Sequence, residues 1–405
     1  MKVLLIHNRY QTAGGEETAI AAQMALLKQR GHTVLLHQRD SNEIPTMGAL
    51  ARARAVPRVI YNGHEAQRLA DLVAEQRPDI AHIHNVFPLI SPAVYRKLHQ
   101  IGLPIVQTIH NFRFLCPNSF FFTQGQICER CKWGNTWHAV PRRCFRGSAL
   151  ASASYAAAIA LHRQWGTFEL IDRYITLTRF AADKLVEGGL VAHERIRVLG
   201  NFIADPLPAV GDLDAREPSL LYIGRISEEK GVPLLIEAMA HLPPIPLHLL
   251  GEGPARAALE ARVAAAGWSH IRFQGYVAGD EKFDEMRRAS VAVVPSRLYE
   301  NFPFAILENL AVGTPVVVPR HGAFPHIVAE GVHGRSFAPH DSHDLARTLV
   351  QMLDDPALPT MRRHARTLVE QRYSSAAHYD CLRGIYDDLI AARQGKAALR
   401  RGVTP

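Results

Sequence analysis

Residues 296–319, SRLYENFPFAILENLAVGTPVVVP, run from a loop through a helix into an apolar strand, and the reading of the whole chain turns on them. Pro303 suits the first position of a helix, because its missing N–H would be unpaired there and its φ is already helical. Glu300 then lies in the loop before the helix, and Glu308 lies in the second turn on the face of Phe304. The N–H groups of Phe304 and Ala305 point out of the helix along the positive end of its dipole, which makes an anion site. Two glutamates eight apart are ordinarily a solvated helix face. Here one carboxylate precedes an anion site and the other follows it. That suits a ligand with a diphosphate in the middle and hydroxylated rings at both ends, as in a nucleotide sugar.

A second segment, SLLYIGRISEEKG at 219–231, leads an apolar strand into Gly224, Arg225 and Lys230 ahead of a helical pattern. A cationic pair on a strand-to-helix loop is placed to neutralise phosphate oxygens. Around these segments strands and helices alternate throughout. KVLLIHN, HTVLLHQ, IAHIHNV, PIVQTIH, RYITLT and RIRVLGN read as buried parallel strands in the first half; SLLYIG, PLHLLG, IRFQGY, VAVVPS and PVVVP do so in the second. The expected class is α/β, with two doubly wound sheets. We expect an N-terminal domain over 1–200, a Pro-, Gly- and Asp-rich linker over 201–217, a second domain over 218–374 and a last helix over 375–395. A chain of 405 residues exceeds what one hydrophobic core supports.

GRISEEKG, followed about seventy residues later by E-N-F-P-F-x(3)-E, resembles the retaining family-4 glycosyltransferases, whose hallmark is E-x(7)-E. The opening strand KVLLIHN with Gly14, Gly15 and Glu16 is similar to that family's glycine loop, and TIHN carries His110 where the family has a histidine after an inner strand. The resemblance implies a GT-B fold, two Rossmann-like domains facing across a cleft, with the last helix crossing back to the N-terminal domain. It implies transfer of a hexose from a UDP- or GDP-linked donor to a glycan or lipid-linked acceptor, with retention of configuration, in cell-surface polysaccharide or glycolipid synthesis. It assigns Arg225 and Lys230 to the diphosphate, Glu300 to the donor sugar, Glu308 to the ribose and His110 to orienting the sugar. Backbone near Gly251, Gly253, Tyr276 and Val277 would hold the base; Gly15, Asn301, Phe302, Pro303, Phe304 and Ala305 would complete the cradle. One departure is His326, which stands where many relatives have a glutamate after the proline of the donor loop. The only D-x-D-like run, Asp212 to Asp214, falls in the expected linker, so no cofactor is expected for catalysis.

The basic excess is confined to the first half: 24 Lys and Arg against 14 Asp and Glu up to Gly200, then 22 against 24. That favours an acidic or pyrophosphate-bearing acceptor, or contact with an anionic membrane surface. The chain opens directly on a strand with no leader pattern, and its longest weakly polar run, 149–161, is too short to span a bilayer. A cytoplasmic protein, peripheral at the inner face of the membrane, is the expectation, with 149–161 a packed helix.

An insert at about 112–148 carries Cys116, Cys128, Cys131 and Cys144, with Cys381 elsewhere. In a reducing compartment a C-x(2)-C flanked by two more cysteines reads as a structural tetrahedral Zn²⁺ site, with free thiols or a redox pair as alternatives and His138 as a substitute ligand. Trp133, Trp137 and residues 120–122 are available to stack on an acceptor. The rival classes are another GT-B enzyme, a phosphorylase or epimerase, and a nucleic-acid-binding module suggested by the basic half and the cysteine loop. The latter leaves Glu300, Glu308, Arg225 and Lys230 unexplained, so no nucleic-acid partner is expected.

Overall fold

The computed structural model describes residues 1–11, 14–46, 57–214 and 216–400, so Ala215 of the expected linker lies outside the described residues. Its contacts separate two compact units: Met1–Thr123, Cys128–Gly200 and His378–Pro405 form one, and Gln124–Ile127 with Asn201–Ala377 form the other.

The first unit is built on β1 (Lys2–Arg9), β2 (Thr33–Asp40), β3 (Ile80–Asn85) and β4 (Ile105–Ile109). The insert then adds the short β5 (Phe122–Thr123) and β6 (Gln126–Ile127), and β7 (Arg173–Thr176) and β8 (Ile196–Val198) complete the sheet. The order is β2-β1-β3-β4-β7-β8, and the pairings are parallel. Val3 to Ile6 are 0 % exposed, which explains their unbroken apolar run: a parallel strand covered on both faces has no polar side. Each such aliphatic side chain stabilises the fold by about 1.5–3 kcal/mol.

The helix Ala149–Gln164 is packed, burying Tyr155, Ala156, Ala158 and Ile159, with the Ser148 side chain accepting from the N–H of Ala151 as its cap. The terminal helix Ser375–Arg400 belongs to the first unit from His378 onward. It is anchored there by Tyr386, fully buried against His82, and by Tyr379, whose hydroxyl meets His32 at 2.7 Å.

The second unit has β9 (Leu220–Ile223), β10 (Leu247–Leu250), β11 (Ile271–Gly275), β12 (Val291–Val293), β13 (Val316–Pro319) and β14 (Gly334–Phe337). Their order, β11-β10-β9-β12-β13-β14, is the doubly wound arrangement, all parallel. Leu220, Leu235, Ile236, Leu249, Val291 and Val317 meet in its core at 0–1 % exposure. No helix among the described residues is long and apolar enough to cross a membrane.

Candidate functional site

In the second unit the candidate residues gather on loops leaving the carboxyl ends of the strands, where open α/β sheets bind ligands. Gly224 and Arg225 follow β9, Gly251 and Gly253 follow β10, Tyr276 and Val277 follow β11, and residues 294–303 follow β12. These loops are laced together by backbone. Gly224 N–H donates to Leu250 O, Gly251 N–H to Gly275 O at 2.6 Å and Ile226 N–H to Glu252 O at 2.9 Å. Glycine is required at the crossing. Gly251 has φ +145°, and a Cβ there would sit 1.9 Å from Gly224 O. Tyr276 holds its ring 80 % exposed.

The loop after β12 enters the helix Phe304–Ala311 one residue later than its sequence suggests. Pro303 is the capping residue, at φ −70° and ψ 128°, and Phe304 is the first helical residue. A proline with extended ψ still fits, because its fixed φ serves either position. The N–H groups of Phe304 and Ala305 have no carbonyl one turn back to receive them, while Ile306 N–H donates to Pro303 O. Asn301, 7 % exposed, has neither end of its amide hydrogen-bonded among the described residues.

The structure brings Lys230 and Glu300 into direct contact, Nζ to Oε1 at 2.6 Å, and Ser296 Oγ donates to the same oxygen at 2.8 Å. Glu308 is paired as well: Lys282 Nζ reaches its Oε1 at 2.6 Å. Arg225 is exposed, and its carbonyl accepts from the Tyr222 hydroxyl at 2.7 Å. His326 is exposed on the short helix Phe324–Ile327, whereas His321 is turned inward with its Nε2 3.0 Å from Ser296 O. Ser296, Lys282 and His321 were not signalled by the sequence. Each is joined to its partner across 25 or 26 residues, apart from Ser296 and Glu300, which are four apart within an irregular loop.

In the first unit Gly15 opens the helix Gly15–Gln29, whose start is held by Glu17 accepting from the N–H groups of Tyr10 and Gly14. His110, at the end of β4, lies on a stack of imidazoles. His84 is 4.4 Å from His82 and 5.2 Å from His110 between ring centroids, and His84 Nδ1 is 2.9 Å from His110 Nε2. Burial, reinforced by neighbouring imidazoles, holds His82 and His110 down to about 3 and His84 well below the ordinary range, so all are neutral.

Beside the stack, Glu16 is a buried carboxyl that the sequence reading treated only as part of a glycine loop. Burial and then the charge of Glu17 raise it well above the ordinary carboxylate range. Asn111 Nδ2 lies 3.3 Å from its Oε2, and His7 Nδ1 lies 3.6 Å from its Oε1.

Cys116 and Cys131 are buried, Cys128 and Cys144 half-buried, and Cys381 exposed. Among the described residues no three or more His, Cys, Asp and Glu side chains form a group that could hold a metal ion.

Two family models cover most of the chain: a glycosyl transferase 4-like domain over residues 14–201 and glycosyl transferases group 1 over residues 205–368. The α-D-kanosaminyltransferase of Streptomyces kanamyceticus is 27 % identical over 307 residues, 71 % of this chain and 72 % of that protein. The glycogen synthase of Mycobacterium tuberculosis is 37 % identical over 155 residues, and that match spans 36 % of this chain and about a third, 36 %, of the relative. Among solved structures, Anabaena HepE in complex with UDP superposes with a TM-score of 0.67 at 17 % identity, covering 96 % of this chain and 100 % of that one. The same Anabaena protein has been solved with UDP-glucose.

Proposed function

The chain belongs to the family-4 glycosyltransferases of GT-B fold, and we propose that it moves a hexose from a UDP- or GDP-linked donor to a glycan or lipid-linked acceptor with retention of configuration. The observation that carries this reading is the Lys230–Glu300 contact at the amino end of the helix Phe304–Ala311. A cation, a carboxylate and two free amides there match a sugar diphosphate group by group. The UDP and UDP-glucose bound by HepE support a nucleotide-sugar donor.

In the proposed reaction the bond between the donor's anomeric carbon and the diphosphate oxygen breaks while an acceptor hydroxyl attacks the same face. The acceptor's proton passes to the departing phosphate oxygen, so no protein base is required. The charge that develops on the diphosphate falls to Arg225, Lys230 and the N–H groups of Phe304 and Ala305. Fixed charges of this kind commonly supply the largest catalytic term. No metal or other cofactor takes part in this step. Glu300 accepts from sugar hydroxyls, with Ser296 and Lys230 fixing its orientation beforehand. Glu308 accepts from the ribose, with Lys282 Nζ held on its Oε1 at 2.6 Å. Asn301 gains partners from the ligand for an amide that has none among the described residues. Glycine backbone at Gly251 and Gly253 and the exposed ring of Tyr276 supply the base site. In the first unit His110 is a neutral imidazole able to orient a sugar hydroxyl, the role the resemblance gives it. The acceptor belongs to cell-surface polysaccharide or glycolipid synthesis, met from the cytoplasmic side, with peripheral contact at the membrane.

The test is calorimetry and thermal shift of the purified chain against UDP, GDP, ADP and their hexose conjugates, with and without Mg²⁺. Stabilisation by one nucleotide, undiminished by chelator, is expected. Binding that requires Mg²⁺ would overturn the metal-free step, and no response to any nucleotide would overturn the donor assignment.

A further inference from the structure

Three of the chain's four tryptophans, Trp133, Trp137 and Trp165, stand exposed, and all three lie in residues 130–168, a stretch with six Lys and Arg and no Asp or Glu. Trp133 is 70 % exposed and Trp137 52 %. Single apolar side chains on a surface are ordinary, but bulky ones grouped beside charge of one sign mark a surface that meets a partner. The stretch is laid against the helix Ala149–Gln164 by its inward groups. Thr136 Oγ1 donates to Ala156 O at 2.8 Å, Phe145 N–H donates to Ser152 Oγ at 3.0 Å, and the Phe145 ring packs on Tyr155 at 4.3 Å between centroids. Between these anchors tight turns hold the chain close, with Val140 N–H donating to Trp137 O, Arg143 N–H to Val140 O and Cys144 N–H to Ala139 O. Thr136 and Ala139 are buried by this packing, and Trp137, Arg143 and Arg146 are left exposed on the side away from the helix.

We propose that the outer side of this insert docks the protein on an anionic lipid bilayer, with Trp133 and Trp137 as anchors and Arg143 and Arg146 as flanking charges. This rests on the reading above that the acceptor is met at a membrane, and it names the surface that does the meeting. An indole settles at the headgroup level of a bilayer, where its apolar body and its N–H are both accommodated. An arginine beside it lays its stem along the apolar surface while the guanidinium reaches lipid phosphate. A pair of indoles and a few arginines make a reversible interfacial contact, not a spanning one.

The local charges and backbone agree. Lys132 Nζ sits 4.3 Å from the centre of the Trp133 ring and 2.7 Å from Glu187, while Lys184 Nζ lies 3.0 Å from Glu129. Two ammonium groups thus offset the two carboxylates beside Trp133, which leaves nothing there to repel an anionic surface. Arg143 and Arg146 have φ of +47° and +52°, the left-handed region in which glycine or asparagine is the ordinary choice. Exposed side chains at such positions add nothing to the core in return, so their charge is what the surface gains.

The test is flotation of the full chain with vesicles of phosphatidylcholine alone and of phosphatidylcholine containing about a quarter phosphatidylglycerol. Binding is expected to the anionic vesicles, at least about tenfold weaker to the neutral ones and weakened by salt. Trp133→Ser combined with Trp137→Ser should lower partitioning at least about tenfold, and Arg143→Ala and Arg146→Ala about fivefold each, with circular dichroism and melting unchanged. Lipids brominated in their acyl chains should quench the wild-type fluorescence, and less so that of the double tryptophan variant. No binding to the anionic vesicles, binding that the tryptophan pair does not affect, or binding without quenching would each overturn the proposal. Tighter binding to single-stranded DNA than to vesicles would overturn it too, giving the surface to a nucleic acid. Vesicle binding needs neither donor nor acceptor, so a failure of the donor reading, seen as no response to any nucleotide, is distinguished from a failure here.

Discussion

Acidification should destabilise the first unit through its buried histidines, at a pH where the carboxylates held below their ordinary range are still ionised. His82 is 0 % exposed, and its Nδ1 lies 3.0 Å from Gln23 Nε2 and 2.5 Å from the Tyr386 hydroxyl. Both can donate to that nitrogen, so the arrangement suits a neutral ring whose Nε2–H donates to Thr108 Oγ1 at 2.7 Å. His378, 7 % exposed, is similarly depressed by burial to about 4, and His82 to about 3, both from 6.5. A depressed histidine contributes stability that is complete above its unfolded pKa and is lost as the pH falls below it, since the unfolded chain then binds the proton and the native one does not.

At about pH 5 the cost is about 2 kcal/mol for each of these two residues, about 4 kcal/mol together, and His84 and His110 move in the same direction. That is comparable with the whole stability of an ordinary domain, about 5–15 kcal/mol. The carboxylates held low enter later. Glu65, where burial is outweighed by His37 and Arg39, is held down to about 2, so its contribution fades only below about pH 4.5. The assay is urea unfolding followed by tryptophan fluorescence from about pH 7.5 to about pH 5. Trp133, Trp137 and Trp165 lie in the first unit and Trp268 in the second. His82 and His378 together lower the first unit's stability by about 2.7 kcal/mol per pH unit near pH 5, two protons' worth, and Glu16, whose raised carboxyl keeps its proton in the native chain, offsets part of that fall. Uptake of less than one proton on unfolding would refute the neutral stack.

Arg225→Ala and Lys230→Ala should each lower kcat for transfer by about 10²- to 10³-fold, the usual cost of removing one fixed charge from a transition state, with unchanged circular dichroism and melting. Full activity in both would remove them from the donor site. Glu300→Gln keeps the size of the side chain but loses the charge-assisted bonds to Lys230 and Ser296. It should cost about ten- to a hundredfold in turnover while free UDP or GDP binds nearly as before, and an equal loss in both would move Glu300 from the sugar to the nucleotide.

The strands that form the two cores were legible because a buried parallel strand must be apolar on both faces, and runs such as VLLI in β1 and VVV in β13 have no other use. β14 was not legible. Its sequence GRSF has one large apolar residue, and it becomes a strand only because β13 offers a free edge. Gly334 is needed there, since a Cβ would come within 1.8 Å of Val316 O. The start of the helix at Phe304 was misplaced by one residue, because proline's φ fits the cap as well as the first turn and only ψ distinguishes them. Glu300 and Glu308 could be picked out by spacing. Their lysine partners, 70 and 26 residues away, could not, because those pairings are made by the order of strands in the sheet.

Burial without partners adds a signal that no local pattern carries. A polar atom removed from water and left unpaired costs about 1–3 kcal/mol. Folded chains avoid this cost, so the places where it persists are informative. In the second unit Asn301 follows β12 and Ser227 follows β9, each with buried side-chain polar atoms lacking a hydrogen-bond partner. In the first unit His84 lies near the end of β3 and Thr176 closes β7, with Nε2 and Oγ1 in the same condition. Other such atoms, on Arg163 and Arg362, lie on helices away from any strand end. Asn301 and Ser227 differ from these in standing on loops beyond the carboxyl ends of strands in one sheet, where an open α/β sheet binds its ligand. A ligand bearing hydroxyls and phosphate oxygens can satisfy both when it binds.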